Sequence, residues 1–179
     1  IQASLVGSEM CIRDRLLVMF KLRNVTIEDI KDIILINEDA IPAVNSVSHE
    51  EFLNFYEKKT YFKVAINNDN NICGFLLVLP SGLDYQSLNY KWFTERYSDF
   101  AYIDRIAISS KYRGLGIGKS LYLDLERSLD EYNMIACEFN IEPPNPISKS
   151  FHESLNYKNV GFQFTENNTK KVSLMVKNI

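Results

Sequence analysis

Apolar and polar positions fall into two periods along this chain. Phe20–Asn24 reads as a short strand. Ile27, Ile30, Ile33 and Ile34 then recur three and four apart behind Thr26, with Asp29 at the capping-box position usually held by Glu, which predicts an amphipathic helix. The helix should fail by Pro42. Ser48 is placed to cap a second helix carrying Phe52, Phe55 and Tyr56. Two apolar runs, Tyr61–Ile66 and Ile72–Leu79, flank the polar turn 67–71 and predict an antiparallel hairpin. Between Pro80 and Ala101 lies an irregular insertion rich in rings: Tyr85, Tyr90, Trp92, Phe93, Tyr97 and Phe100.

The second half repeats the alternation. A β-branched run, Ile103 to Ile108, precedes a glycine-rich turn, and Leu121, Leu125 and Leu129 follow at helical spacing. Met134–Ile141 reads as another buried strand, followed by Pro143-Pro144-Asn145-Pro146 and a helix from about Ser148 to Leu155. Val160–Thr165 and Val172–Val176 close the chain as a hairpin around Asn167-Asn168. The expected order is βααβββαβαββ, an α/β (α+β) chain without repeats or linkers.

Composition narrows the class. At 179 residues the chain reads as one domain, and 46% hydrophobic residues suffice for a core. No run approaches the ~20 apolar residues of a membrane span. A net charge of −3 without a dense Lys/Arg cluster argues against nucleic-acid and membrane partners. A cytoplasmic protein acting on small molecules, monomeric or homodimeric, is expected. Ser4–Arg15 (SLVGSEMCIRDR) resembles the translation of a sequencing adaptor, so residues 1–18 are expected to be a non-native leader and 19–179 the domain. Its charged residues leave no apolar core for a signal peptide. Cys11 falls in that leader, and Cys73 and Cys137 read as core thiols.

The candidate chemistry lies between the central strand and its helix. In Arg113-Gly114-Leu115-Gly116-Ile117-Gly118 three glycines alternate and open onto a helix N-terminus, where exposed N–H groups and the positive dipole end favour phosphate. Gly118-Lys119-Ser120 resembles the end of a Walker A motif, but the glycine needed at 113 is arginine. The dinucleotide spacing fails too, because Lys119 and Leu121 stand where glycine is required. The plain alternative is a glycine-rich turn with no ligand.

Arg-x-x-Gly-x-Gly after a strand and before a helix resembles the acetyl-CoA pyrophosphate loop of the GNAT acetyltransferase superfamily, and the order of elements from Phe20 onward is similar to that fold. Within it, four stretches resemble a bacterial branch of acetyltransferases: 40–45 (AIPAVN), 89–93 (NYKWF), 102–105 (YIDR) and 137–140 (CEFN) before the proline-rich turn. The resemblance implies a mixed, mostly antiparallel sheet flanked by helices. It also implies direct acetyl transfer from acetyl-CoA to an amine of a small molecule or peptide, with no metal. Backbone N–H groups of Arg113, Gly114, Leu115, Gly116, Ile117 and Gly118 should face the pyrophosphate, with the Arg113 side chain, then Lys119 or Ser120, as the cationic or polar contact. The backbone of Ile106, Ala107 and Ile108 should pair with the pantetheine arm.

The same resemblance assigns the proton chemistry. The family often uses a tyrosine acid in the helix after the fifth strand; aligning Asn145, Ser148, Phe151, Asn156 and Tyr157 to that frame puts His152 there. Imidazolium can protonate a thiolate. A hydrogen-bonded helix histidine is the bland alternative. Glu138 and Asp104 are carboxylates inside apolar strands, costly unless bonded or functional; Glu138 is the preferred base, and Asp104 has a structural ion pair with Arg105 as its bland reading. Asn140 and Asn145 are candidate acceptor contacts, Asn145 also a candidate at the cofactor, and Tyr90, Trp92 and Arg96 are candidates from the insertion. Three rivals stay open: a non-catalytic acyl-CoA-binding domain, a nucleotide-binding P-loop protein, and a protein N-terminal or lysine acetyltransferase.

Overall fold

The computed structural model describes residues 20–165 and 168–179, so the proposed leader, Met19, Cys11 and Asn167 lie outside the described residues. Seven strands form one sheet in the order β1-β2-β3-β4-β5-β7-β6. They are β1 (Lys21–Asn24), β2 (Tyr61–Ile66), β3 (Ile72–Pro80), β4 (Ala101–Ile108), β5 (Met134–Glu142), β6 (Lys158–Thr165) and β7 (Lys170–Asn178). The helices are α1 (Ile30–Asp39), α2 (His49–Lys58), α3 (Leu88–Thr94), α4 (Ile117–Ser128) and α5 (Pro146–Ser154). Mixed pairing and flanking helices agree with the expected fold class.

The chain divides into two compact units. The first holds the described residues up to Glu57, Tyr61–Leu77 and Arg105–Leu125; the second holds Lys58–Thr60, Val78–Asp104 and Glu126–Ile179. In the first, the Asp29 carboxylate accepts the Thr26 N–H at 2.8 Å and pairs with Arg23 at 2.6 Å. A short 3-10 turn, Ile27–Asp29, therefore precedes α1. That turn leaves Ile27 exposed, and the buried stripe runs instead through Ile30, Ile33 and Ile36. Ser48 and Glu51 form a reciprocal capping box, with the Glu51 N–H donating to the Ser48 hydroxyl at 3.2 Å and the Ser48 N–H to the Glu51 carboxylate at 2.9 Å. In the β2–β3 turn, Asn67 Oδ1 accepts the N–H groups of Asp69 and Asn71, and Asn70 takes φ 63°.

In the second unit, the aromatic insertion is not irregular throughout. Ser87 accepts the Tyr90 N–H and caps α3, a helix between β3 and β4 that the expected order lacks. Tyr90, Phe93, Phe100 and Tyr102 pack with Met134, Ala136, Val172 and Leu174 into one apolar cluster. Strand β7 pairs antiparallel with both β5 and β6. Strands β4 and β5 are parallel, but their register holds only Ala101↔Ile135 and Tyr102↔Ala136. Both strands run on well past it, to Ile108 and Glu142.

Candidate active site

The glycine loop lies in the first unit. After β4 the chain makes a 3-10 turn, Ser110–Tyr112, passes extended through Arg113, and enters α4 at Ile117. Gly114 and Gly116 have φ of 78° and 81°, in the left-handed region that other residues occupy at a cost. A Cβ on Gly114 would meet nothing within 4 Å, so backbone conformation rather than crowding demands glycine there. Gly118 lies inside α4 instead. The Ser120 N–H donates to the Gly116 carbonyl at 3.0 Å, so α4 starts at once and the N–H groups of Ile117, Gly118 and Lys119 ahead of it have no i−4 partner within the helix. Lys119 and Ser120 are exposed on that turn.

The Arg113 side chain folds back on its own loop. Its Nε donates to the Ile108 carbonyl at 3.1 Å and its Nη2 to the Asp39 carbonyl at 3.2 Å. The Asp39 carboxylate in turn accepts the Ser110 N–H at 2.7 Å, which holds that carboxyl below its ordinary pKa. The end of α1 thus braces both sides of the turn. Upstream, Ile106 and Ile108 are half-buried and Ala107 is buried; an added Cβ on Gly74 would lie 2.9 Å from the Ala107 carbonyl. Arg105, 5% exposed, donates to Asn37 Oδ1 at 3.1 Å and to the Asn45 carbonyl at 3.3 Å, with its guanidinium over the Phe52 and Phe55 rings.

A polar cluster forms in the second unit where the β4–β5 register stops. Tyr102, 1% exposed, donates to both Glu138 oxygens at 2.8 and 2.9 Å. Burial, then the negative charge of Glu138 and of Asp104, raises the Tyr102 pKa well above its usual value, so the phenol remains a proton donor. Asn89 Nδ2 donates to Glu138 Oε1 at 2.9 Å. Two residues along β4 from Tyr102, on the same strand face, Asp104 accepts from the Tyr85 hydroxyl at 2.6 Å. The strand pleat sends the side chains of Asp104 and Arg105 to opposite faces of β4.

The other expected residues take distinct places. His152 is 3% exposed, with Nδ1 2.8 Å from the Ser148 carbonyl and its ring stacked on Phe139 at 5.4 Å. Burial lowers its pKa, opposed in part by the Ser148 contact. A carbonyl can only accept, so Nδ1 carries the proton and Nε2 of the neutral ring is an acceptor. Asn156, at φ 65°, ends the α5 turn, and Tyr157 behind it is buried, its hydroxyl pKa raised chiefly by that burial. Asn145 Oδ1 accepts the Ser148 N–H at 3.0 Å and caps α5. Tyr90 is a buried pin, donating to the Pro80 carbonyl and accepting the Leu83 N–H, both at 2.8 Å. Trp92 lies against Gly161, and Arg96 covers its ring at 4.1 Å. Asn140 sits at the β5–β7 register shift.

Asn89, Tyr102, Tyr85 and Asp39 received no role from the sequence. Asn89 and Tyr102 left a signal as the first residues of the 89–93 and 102–105 stretches, and Tyr85 as one of the insertion's rings. Cys73 and Cys137 are buried free thiols with raised pKa values, which disfavours a covalent thiolate route. Among the described residues no group of three His, Cys, Asp or Glu could hold a metal, and no helix is long and apolar enough to cross a membrane.

The fold has known relatives. The ribosomal-protein-S18-alanine N-acetyltransferase from Escherichia coli superimposes with TM-score 0.70 at 16% identity, covering 90% of this chain and 94% of that one. The Naa20 structure from Chaetomium thermophilum, in complex with a bisubstrate analogue, gives 0.71 at 19%, covering 89% and 86%. A phosphinothricin acetyltransferase from Sinorhizobium meliloti in complex with AcCoA gives 0.69 at 18%, covering 90% and 89%. No curated protein sequence matches. The family model for the acetyltransferase (GNAT) family matches residues 31–157, more than half of the chain. The chain therefore belongs to the acetyltransferase (GNAT) family, whose members use acetyl-CoA, and is an acyltransferase that moves an acetyl group to an amine.

Proposed function

We propose that the Arg113–Gly118 turn holds the acetyl-CoA pyrophosphate and that Glu138 deprotonates the attacking amine. The observation that carries this is the Tyr102–Glu138–Asn89 cluster at the end of the β4–β5 register. Tyr102 and Asn89 are neutral donors that hold the Glu138 carboxylate in one position, which suits a group that receives a cationic nitrogen and then its proton. The loop's fit to a pyrophosphate rests on two left-handed glycines, open space over Gly114 and the unpaired first turn of α4. Lys119 and Ser120 are the side chains available to that phosphate; Arg113 contributes by bracing the turn. Bound acetyl-CoA supplies the activated acyl group.

An ammonium entering the cluster gives one proton to Glu138, the freed lone pair forms the new C–N bond as the thioester C–S bond breaks, and the nitrogen's second proton passes to solvent water as the amide forms. For the proton returned to the departing thiolate, the helix frame points to His152. Only its imidazolium has an Nε2 proton to give, so this role implies turnover that declines as pH rises through the lowered His152 pKa. The acceptor is an amine on a small molecule or a peptide, and the site is taken to serve a single 19–179 domain in the cytoplasm.

Calorimetric titration with acetyl-CoA, using ATP and NAD as controls, followed by thiol-release assays over primary amines, tests the reading. Selective acetyl-CoA binding with amine-dependent thiol release is expected. Folded protein that fails to bind acetyl-CoA would sink it.

A further inference from the structure

Gly74, buried on β3, is a glycine for reasons of space rather than conformation. It takes no left-handed φ. Yet a Cβ there would lie 2.5 Å from Ile108 Cδ1, 2.9 Å from the Ala107 carbonyl oxygen and 3.2 Å from Ile108 Cα. Turning the Ile108 side chain would relieve the first contact. The other two are with backbone, closer than packed atoms tolerate, so any side chain at 74 must push Ala107 and Ile108 off β3. The Ser109 N–H donates to the Cys73 carbonyl at 2.9 Å, which turns residue 109 toward β3. Peptide groups alternate in direction along a strand, so Ala107 also points to β3, while Ile106 and Ile108 point the other way. The Ile108 carbonyl, which accepts from Arg113 Nε, fits that alternation. The β4–β5 register covers only Ala101 and Tyr102 and does not use the N–H groups of Ile106 and Ile108.

Resting on the proposed cofactor site and on the expected pairing of residues 106–108 with the pantetheine arm, we propose that Gly74 is a positioning residue for acetyl-CoA. Carrying no side chain, it lets the Ala107–Ile108 backbone close on β3, and that closure sets where Ile106 and Ile108 present their N–H groups. The pantetheine arm carries two amides at a fixed spacing, and its phosphate end is held separately at the Arg113–Gly118 turn. A strand displaced by a few tenths of an ångström therefore meets the arm out of place while the turn still meets the phosphates. Gly74 itself touches no cofactor atom in this reading; it acts through Ala107 and Ile108.

The test uses the full chain and two ligands, acetyl-CoA and 3′-phosphoadenosine 5′-diphosphate, which keeps the phosphates and lacks the arm. Gly74→Ala is made alone and together with Ile108→Val, which removes the Cδ1 atom nearest the new methyl group and rescues folding if the single variant is unstable. The double variant is measured against Ile108→Val, and thermal unfolding reports folding. Calorimetry should show the acetyl-CoA Kd up about tenfold or more in the alanine variants, with the Kd of the arm-less ligand unchanged. In wild type, hydrogen exchange at the Ile106 and Ile108 N–H groups should slow when acetyl-CoA binds and not when the arm-less ligand does. Equal weakening of both ligands would make Gly74 a general packing residue and overturn the inference while the phosphate turn survives. Unchanged acetyl-CoA affinity, or exchange that acetyl-CoA does not slow, would overturn it too. Folded wild-type protein that binds neither ligand would overturn the cofactor reading beneath it.

Discussion

The Ser110 backbone N–H donates to the Asp39 carboxylate at 2.7 Å, joining the end of α1 to the turn that leads into the glycine loop. Asp39 also receives Arg113 on its carbonyl, so one residue restrains the loop at two points. Asp39→Asn keeps the shape but loses the charge that strengthens the Ser110 bond. It should raise the acetyl-CoA KM by no more than about tenfold, because the group is exposed and screened, and leave the acceptor KM unchanged. Steady-state kinetics with each substrate varied in turn checks this.

Gly114 and Gly116 separate two causes of glycine dependence. Gly114→Ala meets no atoms, so only the left-handed φ should register, at about 1–2 kcal/mol in thermal unfolding. Gly116→Val adds β-branching at φ 81° to the same strain and should abolish acetyl-CoA binding in calorimetry. Normal affinity in the valine variant would remove this loop from the cofactor site.

Glu138→Gln keeps the size of the proposed base and removes its ability to take a proton. Turnover should fall about 100-fold or more, with acetyl-CoA affinity retained. Tyr102→Phe, which deletes the donor to both oxygens, should cost about 1–2 kcal/mol of stability and weaken acceptor use more than cofactor binding. Activity of Glu138→Gln close to wild type would move the base elsewhere, with Asp104 next to examine.

His152 makes a prediction with a definite sign. Its pKa is lower in the folded chain than the ~6.5 of an unfolded one, so the unfolded chain binds more protons between those values. Stability from this group is complete above about pH 6.5 and is lost as pH falls through the folded value. The melting-temperature advantage of wild type over His152→Phe should therefore widen as pH rises from about 5 to about 7. His152→Ala should lower turnover and spare acetyl-CoA affinity; unchanged turnover would exclude His152 from the mechanism.

Gly161 tests the packing under the insertion. A Cβ there would lie 2.7 Å from Trp92 Cζ2. Gly161→Ala should destabilise by about 1–3 kcal/mol and shift the emission of Trp92, the single tryptophan of the chain. An unchanged spectrum and melting point would show that the ring moves aside freely.

Local chemistry was legible in the sequence. The Thr26–Asp29 and Ser48–Glu51 caps, the 67–71 turn and the strand–loop–helix around Arg113–Gly118 each form from residues within a few positions of one another. Their backbone groups must be satisfied nearby, and the residue types that can do so are few. Even α3 left a signal in Ser87 before the ring-bearing Tyr90, although the density of rings hid its period. Family membership rests on the same glycine turn and order of elements, and so was also readable.

What the sequence could not settle is where each polar side chain spends its hydrogen bonds, because those partners are distant along the chain. Arg113 turns to Asp39, 74 positions away, and Glu138 takes Tyr102 and Asn89, 36 and 49 positions away. Asn145 caps a helix, Tyr90 pins a loop and the neutral form of His152 is favoured by burial rather than by its motif position. The sequence by itself determined the elements and the family, through short-range patterns with few solutions. Only the tertiary structure decided which carboxylate Tyr102 and Asn89 hold and which backbone closes on Gly74, because burial and long-range contact set those terms.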